Sequence, residues 1–175
     1  MMILIDSGRL EFRLPDVDDI PMLENVWCDP TVMRFCSGPM DPERLGGIVQ
    51  NIRSTFAHRG YAVLAVIRKE DNRLVGITGC KEDGPDPRNP ELIYHFEQSV
   101  WGRGYATEAV QAYISWMKRN SLADAVHASV MPGNMPSINV LVKSGFVQKG
   151  FVRFEDTGFV EEPYFELELN GKGGG

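Results

Sequence analysis

A short run near residue 100 holds the densest chemistry in the chain. Trp101-Gly102-Arg103-Gly104-Tyr105-Ala106-Thr107-Glu108 places two glycines two residues apart, just before helical apolar spacing that begins near Tyr105. Without β-carbons, such a turn lets successive amide N–H groups converge at a helix N-terminus, where they attract an anion, most naturally a pyrophosphate. A triphosphate-hydrolysing loop requires lysine and then Ser or Thr after the last glycine. Tyr105-Ala106 follows here, which argues against that chemistry. A dinucleotide fingerprint needs a third small residue and an acid about 20 residues on, at the end of the next strand. Asp124 has that separation but precedes the apolar run Ala125 to Val130, the wrong end. Taken alone, the glycine run fits either an anion site or a tight turn with no ligand.

Two further groups of residues carry polar chemistry. In Glu91-Leu92-Ile93-Tyr94-His95-Phe96 the period of two sets Glu91 and His95 on one face of a strand. Their plain readings are a strand-ending carboxylate and a packed, hydrogen-bonded imidazole. Asn134 and Ser137 bracket Pro136 at the start of a helical pattern and, read alone, are an N-cap and a turn residue.

The elements that must position these groups follow from pattern. Leu10 to Leu14 alternates as a strand, and Asp16, Asp18 and Asp19 cap a helix with Ile20, Leu23, Val26 and Trp27 on its apolar side. Pro30 to Cys36 reads as a short helix or turn. Asp41-Pro42-Glu43 opens a helix toward Phe56 that Arg59-Gly60 closes. Ala62 to Ile67 and Leu74 to Cys80 form a hairpin, Lys81 to Pro90 a loop, and Glu91 to Phe96 a buried strand. A long helix from Tyr105 to about Asn120 precedes the strand Ala125 to Val130, and a helix from Pro136 to about Ser144 ends at Gly145. Phe146 to Phe154 and Pro163 to Leu169 are the last strands, which makes a mixed α/β sheet in one domain over residues 1–170. Residues 171–175, Gly-Lys-Gly-Gly-Gly, read as a flexible tail.

Composition bounds the function. The 175 residues are 43% hydrophobic and 24% charged, enough for one real core. Eighteen basic against 24 acidic residues leave a net charge of -6, so no overall positive field exists to hold a nucleic acid or an anionic membrane. Cys28, Cys36 and Cys80 are odd in number and lack paired metal spacing, which predicts neither disulfides nor a metal site and fits a reducing, cytoplasmic setting. The N-terminus has no basic leader, and no window approaches the roughly 20 apolar residues of a membrane span.

Taken together, Trp101 to Ala109 (WGRGYATEA), Glu91-Leu92-Ile93-Tyr94, Asn134-Met135-Pro136-Ser137 and Lys143-Ser144-Gly145-Phe146 resemble the GNAT superfamily of acyl-CoA N-acyltransferases. The resemblance runs from Leu10 to Leu169 and is greatest to the branch containing the ribosomal-protein N-terminal acetyltransferases. It implies a single-domain GNAT fold, with a mixed, mostly antiparallel central sheet flanked by helices, and acetyl-CoA as co-substrate. The window Trp101, Gly102, Arg103, Gly104, Tyr105 and Ala106, followed by Thr107, matches the pyrophosphate loop, with tryptophan where Gln or Arg is usual. The same resemblance implies that Phe96 and Gln98 offer backbone groups to the pantetheine arm, with Asn134 and Ser137 on its other side.

Acetyl transfer from a thioester to an amine needs a neutral amine, a polarised carbonyl and a proton for the departing thiolate. The resemblance implies Glu91 as general base and the N–H near Phe96 as the polarising group; His95, on the same strand face as Glu91, is a second candidate because an imidazole titrates near neutrality. Many members carry a tyrosine four residues before the glycine of the closing Gly-Phe pair; here that position is Leu141. Ser137, or water, is then the donor, or the thiolate, with a pKa of about 8.5 by analogy with cysteine, leaves unprotonated. The resemblance implies an acceptor site built from the first two helices, the loop after the central strand pair and the last hairpin, where Glu155, Asp156, Glu161, Glu162, Glu166 and Glu168 occur without a base. Such a rim attracts a cationic amine, or is a solvated strand face. Trp27, Phe35 and Tyr164 either line the same cleft or belong to the core. The expected protein is a monomer or homodimer that transfers acetyl groups in a ternary complex; the alternative is a non-catalytic acyl-CoA-binding regulatory or assembly protein of the same fold.

Overall fold

The computed structural model describes residues 2–82 and 86–170; the tail at 171–175 lies outside the described residues, as does part of the loop after Lys81. The strands are β1 (Ile5–Asp6), β2 (Leu10–Arg13), β3 (Val63–Arg68), β4 (Arg73–Lys81), β5 (Glu91–Phe96), β6 (Ala125–Ser129), β7 (Val147–Val152) and β8 (Glu162–Glu168). The helices are α1 (Ile20–Trp27), α2 (Leu45–Arg59), α3 (Tyr105–Arg119) and α4 (Met135–Lys143). One eight-stranded sheet runs in the order β1-β2-β3-β4-β5-β6-β8-β7. Its neighbours are antiparallel except β5 and β6, because a parallel pair needs a crossover and α3 supplies the only one between adjacent strands among the described residues. No helix among the described residues is long and apolar enough to cross a membrane.

The local signals act as read. The Asp16 side chain accepts from Val17 N and completes a reciprocal capping box with Asp19. Arg13 forms a two-pronged ion pair with Asp19 at 2.6 and 2.7 Å. Asp41 accepts from Glu43 N at 3.0 Å, and α2 ends at Gly60 with φ 75. Structure adds β1, which pairs with β2, and carries Lys81 into β4 rather than the loop. The turn read at Pro30 to Cys36 is a single 3₁₀ turn, Val32–Phe35.

A core lies on each face of the sheet. Ala109, Val110, Tyr113, Ile114 and Met117 of α3 pack with Leu141 of α4 on Phe12, Leu64, Val75, Leu92, Phe96 and Phe165. On the opposite face Leu23, Val26 and Trp27 of α1 and Leu45, Val49 and Ile52 of α2 pack on Ala65, Ile67 and Ile77. Each large side chain so buried contributes about 1.5–3 kcal/mol. The second core includes no residue of β6, β7 or β8, so that face of the sheet is helix-covered only as far as β5.

Gly76 of β4 lies opposite Phe96, and a β-carbon there would stand 2.5 Å from Phe96 Cδ1 and 2.6 Å from the His95 carbonyl oxygen. Gly76→Ala is therefore expected to cost about 1–3 kcal/mol in urea unfolding. Gly47→Ala, in helical backbone of α2 with nothing within 4 Å of the added carbon, is expected to stabilise by up to about 1 kcal/mol. Equal midpoints for the two variants would show that Gly76 is not a packing constraint.

Candidate active site

The sheet opens at its one parallel pair. β5 and β6 are in register only at Glu91 and His127, where His127 N donates to the Pro90 carbonyl at 3.1 Å. Beyond that pair β6 stays with β8, down to Ser129 opposite Tyr164 and Val130 N bonded to the Pro163 carbonyl at 3.1 Å. A gap therefore separates the C-terminal halves of β5 and β6. Glu97 N donates to the Val75 carbonyl at 3.0 Å, so the alternation of strand backbone turns the N–H groups of Tyr94 and Phe96 the other way, toward the gap. The Phe96 carbonyl already accepts the Trp101 indole N–H at 2.8 Å, which leaves its N–H as the group Phe96 presents. Gln98 lies in the 3₁₀ turn Gln98–Val100 that follows, with an exposed side chain.

That turn leads into the glycine loop. Gly102 and Gly104 adopt φ 74 and φ 77, the left-handed region, and Gly104 is the N-cap of α3. Alternating left-handed residues at a helix N-terminus turn amide N–H groups to one side, the arrangement that holds phosphate oxygens. Arg9 fastens the loop. Its Nη1 donates to the Arg103 carbonyl at 2.9 Å, its Nε to Glu108 at 2.7 Å, and its Cζ lies 4.2 Å from the centre of the Tyr105 ring. Glu108 also accepts from Arg9 N at 2.7 Å and from Ser7 Oγ at 2.8 Å. Burial alone would raise the Glu108 pKa, but these donors hold it below the usual carboxylate range. A groove of about 530 Å³ begins at Gly104 and Thr107 and follows α3 to Lys143.

Across the gap stands α4. The Asn134 carboxamide oxygen accepts from Ser137 N at 3.3 Å and caps this helix. Tyr94 of β5 reaches the same turn, with Oη 3.0 Å from the Ser137 carbonyl and 2.7 Å from Ser137 Oγ. Either hydroxyl can be the donor in the second contact; with the phenol proton directed to Ser137 Oγ, the serine proton is left to point away from Tyr94. Burial pushes the Tyr94 pKa up, so the group remains a phenol. Leu141 is fully buried one turn further on, inside the core under α3.

The other face of β5 carries Glu91 and His95, as alternation requires. His95 Nδ1 lies 3.2 Å from Trp27 Nε1, which can only donate, so Nδ1 is the acceptor and the ring proton is on Nε2. Nε2 lies 3.3 Å from Cys36 Sγ and therefore donates to it. Burial, then the charge of Lys81, pushes the His95 pKa down to about 4, so the imidazole is neutral at physiological pH with its basic nitrogen engaged by Trp27. Glu91 pairs with Lys81 Nζ at 2.6 Å. Cys36 is exposed as a residue, but burial raises its thiol pKa; Lys81 lowers it, and the charges of Glu91 and Glu162 raise it.

The structure brings Ser137 to Tyr94, Trp101 to Phe96 and His95 to Cys36, and it places Glu91 and Ser137 on opposite sides of β5. Tyr94, Cys36 and Arg9 escaped sequence reasoning because their partners lie 43, 59 and 94 to 99 residues away, and Lys81 because the sequence reads it as loop rather than strand. The one available signal was the alternation that sets Tyr94 opposite His95. The acids of the last hairpin do not form one rim. Glu161 pairs with Arg153, Asp156 accepts from Ser37 Oγ at 3.2 Å, Glu166 accepts from Asn89 at 3.3 Å, and Glu162 is buried. Tyr164 stacks on His127 with ring centres 5.5 Å apart, whereas Trp27 is core and only its indole N–H reaches the cleft.

Because the folded pKa of His95 lies below its unfolded value of about 6.5, the unfolded chain binds the extra proton between those two values and stability falls as pH drops through that window. Between pH 7 and pH 5 the native protein should lose about 1–2 kcal/mol from this group. His95→Gln should remove that slope in urea titrations at the two pH values; an unchanged slope would show that His95 is not the titrating group.

Comparison with known proteins agrees with this geometry. Residues 9–147 match the family described as "Acetyltransferase (GNAT) domain". The N-acetyltransferase p20 of Bacillus licheniformis is 27% identical over 149 residues, 84% of each chain. The ribosomal-protein-serine acetyltransferase of Escherichia coli K12 is 26% identical over 111 residues, 63% of this chain and 60% of that one. A GNAT-family acetyltransferase structure from Bacillus anthracis superposes with a TM-score of 0.82 at 22% identity, covering 96% of this chain and 99% of the other. With the opened sheet, the glycine loop ahead of α3 and the family match over most of its length, the chain belongs to the GNAT acetyltransferases and is an acetyltransferase enzyme.

Proposed function

We propose that this enzyme transfers the acetyl group of acetyl-CoA to a primary amine, directly, within a ternary complex. GNAT acetyltransferases use acetyl-CoA. The observation that carries the reading is the gap between β5 and β6, with the Gly102–Gly104 loop at one end and Ser137 with Tyr94 along one side. Acetyl-CoA supplies the thioester; the backbone amides from Gly102 to Ala106, with Trp101, Arg103 and Thr107 around them, would hold its pyrophosphate. The N–H groups of Tyr94 and Phe96 would receive the amide-bearing arm and the thioester carbonyl, as an added strand is received at a sheet edge. Asn134 holds Ser137 in place. The Ser137 hydroxyl, backed by the Tyr94 phenol, donates toward the departing thiolate in place of a tyrosine at Leu141.

Glu91 is the proposed base for the acceptor amine, acting directly or through water, with Lys81 Nζ 2.6 Å from its carboxylate. His95 serves this reading as a fixed neutral donor to Cys36 rather than as the base. The ribosomal-protein-serine acetyltransferase among the relatives favours a protein N-terminal α-amine as acceptor, with a small-molecule amine second. A soluble, cytoplasmic enzyme, monomeric or dimeric, with no nucleic-acid or membrane partner completes the reading.

Two measurements test it. Calorimetry should show acetyl-CoA binding that Gly104→Ala, strained at φ 77, weakens about tenfold while thermal unfolding shifts little. Thiol release over a panel of amines should depend on the acceptor and fall about 10²-fold or more in Glu91→Gln and about tenfold in Ser137→Ala. Binding without acceptor-dependent release would instead favour a non-catalytic acyl-CoA-binding protein, and acetylation confined to hydroxyls would end the amine assignment.

A further inference from the structure

Glu162 places a carboxyl group inside the protein. The residue is 4% exposed, and its Oε1 is buried without a hydrogen-bond partner among the described residues. A buried carboxylate left in this state is costly unless a cation meets it. Its position follows from register. Glu91 pairs with His127 in parallel, so Val130 and Met131 are level with Tyr94 and His95. Tyr164 is opposite Ser129 and Val130 N bonds the Pro163 carbonyl, so Glu162 is level with His95 on the far side of the gap.

The faces agree as well. Phe165 of β8 points into the core beneath α3, so Glu162 and Tyr164 point to the opposite face, with Glu91 and His95. That is the face on which helix cover stops at β5. In place of a helix, Cys36 and Ser37 lie over it and are tied to the last hairpin by the Ser37–Asp156 hydrogen bond. The groups assembled there are Glu91 with Lys81, neutral His95, Cys36 and Glu162, and of these the buried Glu162 Oε1 has no hydrogen-bond partner among the described residues.

We propose that Glu162 is the binding carboxylate for the acceptor's primary ammonium group, which it holds at the gap on the side of β5 opposite Ser137. This rests on the reading of the protein as an amine acetyltransferase and adds the residue that selects a cationic acceptor. Glu91 remains the group that takes the proton from nitrogen; Glu162 sets how tightly the acceptor is held before that transfer.

The exposed Cys36 next to the site supplies a readout that needs no turnover. In a Cys28→Ser background, Cys36 should react with a cationic methanethiosulfonate (ethyltrimethylammonium) about tenfold faster than with the anionic ethylsulfonate, each rate normalised to a free thiol and followed by mass spectrometry. Glu162→Gln should reduce that preference at least threefold, and Glu162→Asp should keep it. A preference unchanged in Glu162→Gln overturns the proposal. In the turnover assay Glu162→Gln should raise the KM of any amine the enzyme accepts about tenfold, with the acetyl-CoA Kd unchanged and kcat within about threefold, since a tenfold change equals 1.4 kcal/mol, the size of a charge-assisted hydrogen bond. An unchanged KM also overturns it. Should the reagent preference behave as expected while no amine is acetylated, the cation site stands and the acetyltransferase reading fails.

Discussion

One break in hydrogen bonding organises this molecule. A parallel strand pair held at a single register position leaves the backbone donors beyond it without strand partners, and buried backbone donors seek a partner. Everything around the gap follows from that opening. The α3 crossover makes the pair parallel and ends where its N-terminus meets the glycine loop. Strands β6 to β8 form a wing that leaves β5, and α4 and the last hairpin move with it to form the opposite wall.

The central strand of the site has two faces with different work. Toward α3 and α4, Leu92 and Phe96 are core and Tyr94 reaches the Ser137 turn. Toward α1 and α2, Ile93 is core while Glu91 and His95 meet Lys81, Trp27 and Cys36. Donors and acceptors on the two faces do not neutralise each other, because the sheet itself keeps the two sets apart. Gly76 serves this arrangement, because only a residue without a β-carbon lets β4 approach Phe96 and His95 so closely.

Much of the fold was legible because its signals are local. The capping aspartates at 16 and 41, Pro136 and Gly60 mark helix ends within a few residues of themselves, and the apolar runs of β3 and β4 read as the two strands of a hairpin. The glycine loop was legible for the same reason, since its left-handed turns fall at Gly102 and Gly104 themselves. Strand β1 was not, because two residues carry no periodicity and their pairing rests on β2.

The catalytic surroundings divide in the same way. Sequence by itself determined that an acid and a histidine share a face of β5, that a two-glycine turn opens α3, and that Leu141 offers no hydroxyl. Only the tertiary structure decided the state of each group. His95 is a neutral donor because Trp27, 68 residues away, occupies its other nitrogen. Ser137 is joined to a phenol because β5 brings Tyr94 under α4. Of six acids that look alike in the last hairpin, Glu162 alone is buried, with a carboxyl oxygen that has no hydrogen-bond partner among the described residues. Pattern reports which residues alternate or cap, but protonation and pairing depend on which distant groups exclude water and donate hydrogen bonds, and packing alone sets that.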